Sequence, residues 1–376
     1  MKFAEIPVHT AVKTHLLRMV RGGKLPHALL ISGPEGSGKL SLARALAQYM
    51  QCACPGETDS CGECPSCKQH RSLNHADMHY VFPVIKKKSE HLLVSDDYLA
   101  EWREFLHGRV FSSWQGWLDT LDAGNSRPAI YVEEAASILH TAGMSAYTSP
   151  VKVVLIWLPE KISVEAANKL LKIIEEPWED TRFILVSNDA SAILPTIFSR
   201  TQRVNVPRLS DAEVVSLLAG SYAVDQGEAT AIARMARGNA CAAIAALDTR
   251  GEAGEFASLF RDAMRKAYLK DVRALRELGD RIAGMGREKN CRMLEYFTSQ
   301  VRENFIYNLH QPQLSFLSAD EAQFSARFSP FVNTANVEGI LADFDAAHTD
   351  IARNANAKIV MFDTLLRLIV HLIKKP

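Results

Sequence analysis

Net charge is missing from this sequence: lysine plus arginine and aspartate plus glutamate both number 43. A domain that lives on nucleic acid through bulk electrostatics usually carries a basic excess, so that class is disfavoured, and only a few local contacts stay open to it. Long apolar runs are missing too. No stretch approaches the roughly 18–20 residues that span a bilayer. The first 24 residues are broken by Lys, Glu and Arg and hold no apolar leader core. There is no internal repeat and no low-complexity tract. These absences lead to the expectation of a cytoplasmic protein without a membrane partner. What remains is 376 residues, 47% hydrophobic and 23% charged, enough for two or three domains with real cores.

Cysteine is sparse outside one cluster. Of seven, five crowd into residues 52–67. In a reducing compartment such a cluster reads as metal binding rather than disulfides. Cys52-x8-Cys61-x2-Cys64-x2-Cys67 supplies four thiolates, and two Cys-x2-Cys turns can set them around a tetrahedral Zn²⁺. Four thiolates leave no open coordination position, so the zinc is expected to be structural. Cys54 is a surplus thiol that competes with Cys52 for the role of first ligand. Cys241 and Cys291 read as ordinary buried thiols.

The first half alternates strand and helix. An apolar run at 27–32 precedes a Gly-rich turn and a helix from about Lys39 to Met50. Runs at 151–157 and 181–187 read as buried parallel strands, with a helix over 164–176 between them that must stop at Pro177. From about residue 208 the signal becomes helical: SDAEVVSLLAG opens on an N-cap, Ser210 or Asp211, and Gly238-Asn239 marks a break. Residues 251–376 read as helical throughout. Residues 84–128 stand apart. They carry Lys86-Lys87-Lys88, read as a solvated loop, and Trp102, Trp114 and Trp117, read as packing an insertion onto the body.

Gly33-Pro-Glu-Gly-Ser-Gly-Lys39 follows a strand and opens a helix, the setting of a phosphate-binding loop. Gly33, Gly36, Gly38 and Lys39 are the expected phosphate-binding residues, so ATP or ADP is a candidate ligand. Two parts of a working NTPase are missing. Leu40 stands where a Ser or Thr hydroxyl would hold Mg²⁺, and Ser41 is one residue late, about 100° round the helix. After the strand at 153–157, Trp157 and Leu158 stand where an Asp and a Glu belong, and Glu160 lies two residues too far on behind Pro159. Phosphoryl transfer depends on positioning and charge neutralisation, so hydrolysis is expected to be lost.

Leu25-Pro-His-Ala-Leu-Leu ahead of the loop, Asn168-Lys-Leu-Leu-Lys-Ile-Ile-Glu-Glu-Pro177 and Leu194-Pro-Thr-Ile-Phe-Ser-Arg-Thr-Gln202 together carry a resemblance. The sequence resembles the delta-prime subunits of the bacterial DNA polymerase III clamp loader, in the AAA+ clamp-loader family, most fully over residues 1–250. The segment 84–128 is longer than that family leads one to expect. The resemblance implies an α/β P-loop AAA+ domain, a parallel sheet flanked by helices, over 1–207. That domain would hold the zinc module (52–67) and the insertion (84–128), and be followed by a small helical lid (208–250) and an all-α collar (251–376). It implies an ATPase-defective subunit of the polymerase holoenzyme, in a hetero-pentameric ring with motor subunits and delta, acting on the sliding clamp and primed DNA. It favours Cys52 as the first zinc ligand. It gives Arg200, in Ser199-Arg200-Thr201, the part of an arginine finger acting in trans on a neighbour's nucleotide, with Thr201 where the family has Cys. The phosphate-sensing lid arginine of motor subunits falls on Cys241. The alternatives are a catalytically active motor subunit, against which Leu40, Trp157 and Leu158 stand, and a stand-alone zinc module on nucleic acid, against which the neutral charge stands.

Overall fold

In the computed structural model the described residues are 1–86, 94–124, 126–178, 180–248, 250–308 and 319–373. They divide into two compact units, Met1–Ile244 and Ala245–Pro376. Lys87 and Lys88 of the lysine run lie outside the described residues. Lys86 is exposed, with its ammonium 5.1 Å from the centre of the Tyr131 ring.

The first unit is built on five parallel strands: β1 (Ala28–Ser32), β2 (Met78–Val81), β3 (Lys152–Trp157), β4 (Thr181–Ser187) and β5 (Gln202–Asn205), in the order β2-β3-β4-β1-β5. Every residue of β1 and β3 is buried, which is why those strands read as unbroken apolar runs: a parallel sheet is covered on both faces. Side chains alternate along β3. Val154 and Ile156 join Phe183 and Leu185 of β4 in one core, closed by the helices Val132–Ala142 and Val164–Glu175. The helix Lys39–Met50, buried along almost its whole length, packs against the sheet. Ser163 caps the helix Val164–Glu175 by accepting from the Ala166 amide, and the helix stops ahead of Pro177. The flanked parallel sheet is the arrangement expected.

β2 and β5, the edge strands, have no counterpart in the sequence reading. β5 exposes three of its four residues. Beyond it, Ser210 is the N-cap of Asp211–Tyr222, closed by a reciprocal pair with Glu213. The predicted break at Gly238-Asn239 is a turn, with Arg237 and Gly238 at positive φ. Asp77, just before β2, accepts from the backbone and hydroxyls of Thr148 and Ser149 and from the Tyr147 amide, tying the loop before β3 to the sheet.

The described part of the second unit is helical: Arg250–Tyr268, Val272–Ala283, Arg287–Asn308, Ala319–Phe328, Val337–Ala352 and Ala357–Ile373. Phe260, Phe297 and Phe344 meet edge to face through its centre, at 5.2 and 5.7 Å between rings. Among the described residues no helix is long and apolar enough to cross a membrane.

Candidate phosphate loop and metal centre

The thiols of Cys52, Cys61, Cys64 and Cys67 come together, all four sulfurs lying within 4.8 Å of one another. Cys52 and Cys61 are 3.5 Å apart and Cys61 and Cys67 3.9 Å. Four sulfurs at about 2.3 Å from a tetrahedral zinc stand about 3.8 Å apart, so the donor set fits that ion. Backbone amides already point at the sulfurs: Cys61 N to Cys52, Cys64 N to Cys61, Cys67 N to Cys64. Such bonds orient thiolate ligands. Cys54 is exposed and outside the group. The module is anchored to the end of the helix Lys39–Met50, where Gln48 donates to Ser60 and Ser66 donates to the Gln51 carbonyl.

The loop Gly33–Lys39 has the turn its glycines predict. A Cβ on Gly33 would stand 2.0 Å from the Val206 carbonyl oxygen, so only glycine fits where the chain leaving β1 passes the chain leaving β5. Gly36, at φ +75, accepts from the Ala240 amide and faces Asn239. Lys39 opens the helix, but its ammonium donates back to the Pro34 carbonyl at 2.9 Å and is almost wholly buried. Burial pulls its amine down to about 8, against the opposing charges of Glu160 and Glu35. Leu40 is buried, and Ser41 turns its hydroxyl to the Val110 carbonyl, away from any metal role.

Trp157 at the end of β3 sits in a cluster that explains it. Its ring lies 5.3 Å from Trp102, 5.5 Å from Phe105 and 6.3 Å from Trp114. Trp102 also stacks on Phe82, and Trp117 donates its indole N–H to the Pro83 carbonyl. Trp102 and Trp117 are fully buried and pack this segment onto the body, while Trp114 is half-buried. Leu158 follows in the left-handed region at φ +58 and is buried. Glu160 accepts from the Asn188 amide through Oε1, while its buried Oε2 has no partner. The Cys241 thiol, where the resemblance put a lost sensor, is pushed up to about 12 by burial and then by the charge of Glu35. A cysteine is neutral or anionic in either protonation state, so this position brings Lys39 no positive charge.

Arg200 follows the short helix Pro195–Phe198 and lies level with Pro26, His27 and Ala28, beside the start of β1. The phosphate loop leaves the other end of that strand. The guanidinium is partly exposed; Nε donates to Glu175 at 2.7 Å and Nη1 to the Thr196 carbonyl at 3.0 Å. Sequence reasoning missed Glu175 as its partner, although both acids at 175 and 176 stand in the quoted motif.

A five-stranded parallel sheet with a glycine loop after β1 and a four-cysteine cluster behind the following helix defines a P-loop domain. Residues 8–210 match the model of the family described as DNA polymerase III, delta subunit, and the chain belongs to that family. It is 28% identical over 203 residues to the DNA polymerase III subunit delta' of Pseudomonas aeruginosa, covering 54% of this chain and 50% of that protein. To the DNA polymerase III subunit gamma/tau of Mycobacterium tuberculosis it is 30% identical over 217 residues, 58% of this chain and 30% of that protein. The chain spans about half the length of the delta' relatives from P. aeruginosa and Haemophilus influenzae. Among solved structures, a DNA polymerase III gamma subunit-related protein from Thermotoga maritima aligns with 96% of this chain and 99% of its own, at 15% identity and a TM-score of 0.41.

Proposed function

We propose that this chain is a non-catalytic subunit of the DNA polymerase III clamp loader. It would join motor subunits and delta in a hetero-pentameric ring that loads the sliding clamp onto primed DNA at the expense of ATP hydrolysed next door. In this reading residues 1–207 form the AAA+ domain, 208–250 its lid and 251–376 the collar. Cys52, Cys61, Cys64 and Cys67 hold a structural zinc. Nucleotide retained on Gly33, Gly36, Gly38 and Lys39 is not required for the role.

One observation carries the reading. The place for the catalytic acids holds Trp157 and Leu158, both buried, while Arg200 remains reachable at the end of β1 remote from this chain's own loop. An arginine so placed serves a neighbour's nucleotide better than its own. Its pair with Glu175 is solvent-exposed, and such pairs contribute at most about 1 kcal/mol, so exchanging the carboxylate for a phosphate is not opposed. A guanidinium offers charge and a fork of donors to the γ-phosphoryl oxygens.

The test is the reconstituted complex. Arg200→Ala should leave assembly intact and lower the DNA- and clamp-stimulated ATPase and clamp loading. An arginine finger can give about 10³–10⁵ in rate at one site, but the total falls less, because other sites keep their own fingers. Arg200→Lys should restore only part. Unchanged ATPase and loading with assembly confirmed would remove Arg200 from the mechanism, and failure to co-elute with clamp-loader subunits would remove the reading itself.

A further inference from the structure

The insertion does more than pack on Trp157: it crosses the phosphate loop. The Val110 carbonyl accepts from the Ser41 hydroxyl at 2.5 Å. The Phe111 ring lies against Gly38, its Cε1 3.1 Å from where a Cβ would stand, and is 7% exposed. The Trp114 amide donates to Glu35 Oε2 at 2.9 Å. Three consecutive contacts thus bind residues 110–114 to the loop's third residue, its last glycine and the first turn of its helix. From another side Ala240 donates to the Gly36 carbonyl, with Asn239 against the same glycine.

Charge is arranged to the same end. A bound polyphosphate is a multiple anion that needs uncompensated N–H groups and a free lysine. Here Lys39 is turned back on Pro34, and the negative charges about it are this chain's own Glu160 and Glu35. Glu160 holds a buried oxygen without a hydrogen-bond donor on that side. A phosphate entering would displace a buried aromatic ring and meet two carboxylates.

We propose that residues 110–114 are a built-in stopper that fills the phosphate-binding place of this chain's own P-loop and keeps the domain in one nucleotide-free form. Phe111 is the plug. Ser41 with Val110, and Glu35 with Trp114, are the latches. This explains a loop that keeps every glycine and its lysine: the glycines are held by close packing against Val206, Asn239 and Phe111, without any call for phosphate. The inference rests on the loop's geometry and holds whether or not Arg200 acts in trans.

The test is titration calorimetry of the full-length chain with Mg-ADP and Mg-ATP. The wild type should show no binding tighter than about 1 mM. Phe111→Ala combined with Glu35→Gln should bind ADP at least about tenfold more tightly, and adding Lys39→Ala should abolish the gain. Ser41→Ala, which removes only one latch, serves if the double variant does not fold. For it, amide hydrogen exchange over 36–40 should quicken relative to wild type. Wild-type binding near about 10 µM would overturn the stopper. So would a folded double variant that gains no affinity, or unchanged exchange in Ser41→Ala.

Discussion

Asp77 accepts hydrogen bonds from Tyr147 N at 2.6 Å, Thr148 N at 2.7 Å, Thr148 Oγ1 at 2.8 Å, Ser149 N at 3.0 Å and Ser149 Oγ at 3.1 Å. Its burial would raise the carboxyl pKa, but the donors outweigh that and hold it at about 2. The unfolded chain binds this proton near 3.8 and the folded chain only near 2. The contribution is therefore complete above about pH 4 and lost as pH falls toward 2. Asp77→Ala should lower stability by about 3 kcal/mol, because it leaves several donors of one loop unpaired. The same variant should lose part of the wild type's acid sensitivity between pH 4 and 2. Urea unfolding at pH 7 and pH 3 checks both; equal losses at the two values would contradict the linkage.

At the scale of elements, the insertion is joined to the body by Glu134 on the helix Val132–Ala142. Glu134 accepts from the Ser95 amide at 2.5 Å and the Ser95 hydroxyl at 2.9 Å. Burial is the largest influence and lifts its carboxyl to about 7, against those donors. Here the folded form keeps a proton that the unfolded form releases near 4.5, so stability falls as pH rises from about 4.5 to 7. Glu134→Gln should flatten that slope and gain on the order of 1–3 kcal/mol at pH 8. Thermal melts across pH 5–8 measure it, and a slope equal to wild type would exclude Glu134 as its source. How much of this was legible in the sequence follows the range of the contacts. β1, β3 and β4 were readable because central parallel strands must be apolar along their length. β2 and β5, short and at the edges, gave no such run. The four-cysteine cluster was readable from spacing because its members are local in sequence. Leu40, Trp157 and Leu158 could be read as departures from the pattern of a working NTPase. What Trp157 gained could not, since Trp102 and Phe105 meet it from more than 50 residues away. The Arg200 partner, 25 residues distant, was hidden for the same reason.

For the whole molecule, the four-cysteine cluster is a fastening between the helix Lys39–Met50 and the chain that leads to β2. Asp59 also accepts from the amides of Phe3 and Ala4, so the chain's first residues depend on it. Elemental analysis should find about one zinc per chain. Chelation should loosen the first unit and leave the helical second unit folded, visible as two separate melting transitions where the metal-loaded protein shows less separation. Cys61→Ser should lose the metal, and Cys54→Ser should keep it; zinc retained by Cys61→Ser would refute the ligand set. The aromatic cluster under the insertion has a consequence of another kind. The indole of Trp157 is a support on which a whole segment rests. Trp157→Asp would set a carboxylate among Trp102, Phe105 and Trp114 in place of the ring they pack on, and moving a charge into such an apolar cluster is costly. That substitution would unseat the segment that rests on Trp157. Position 157 is therefore closed to an acid for as long as Trp102, Phe105 and Trp114 rest on its ring.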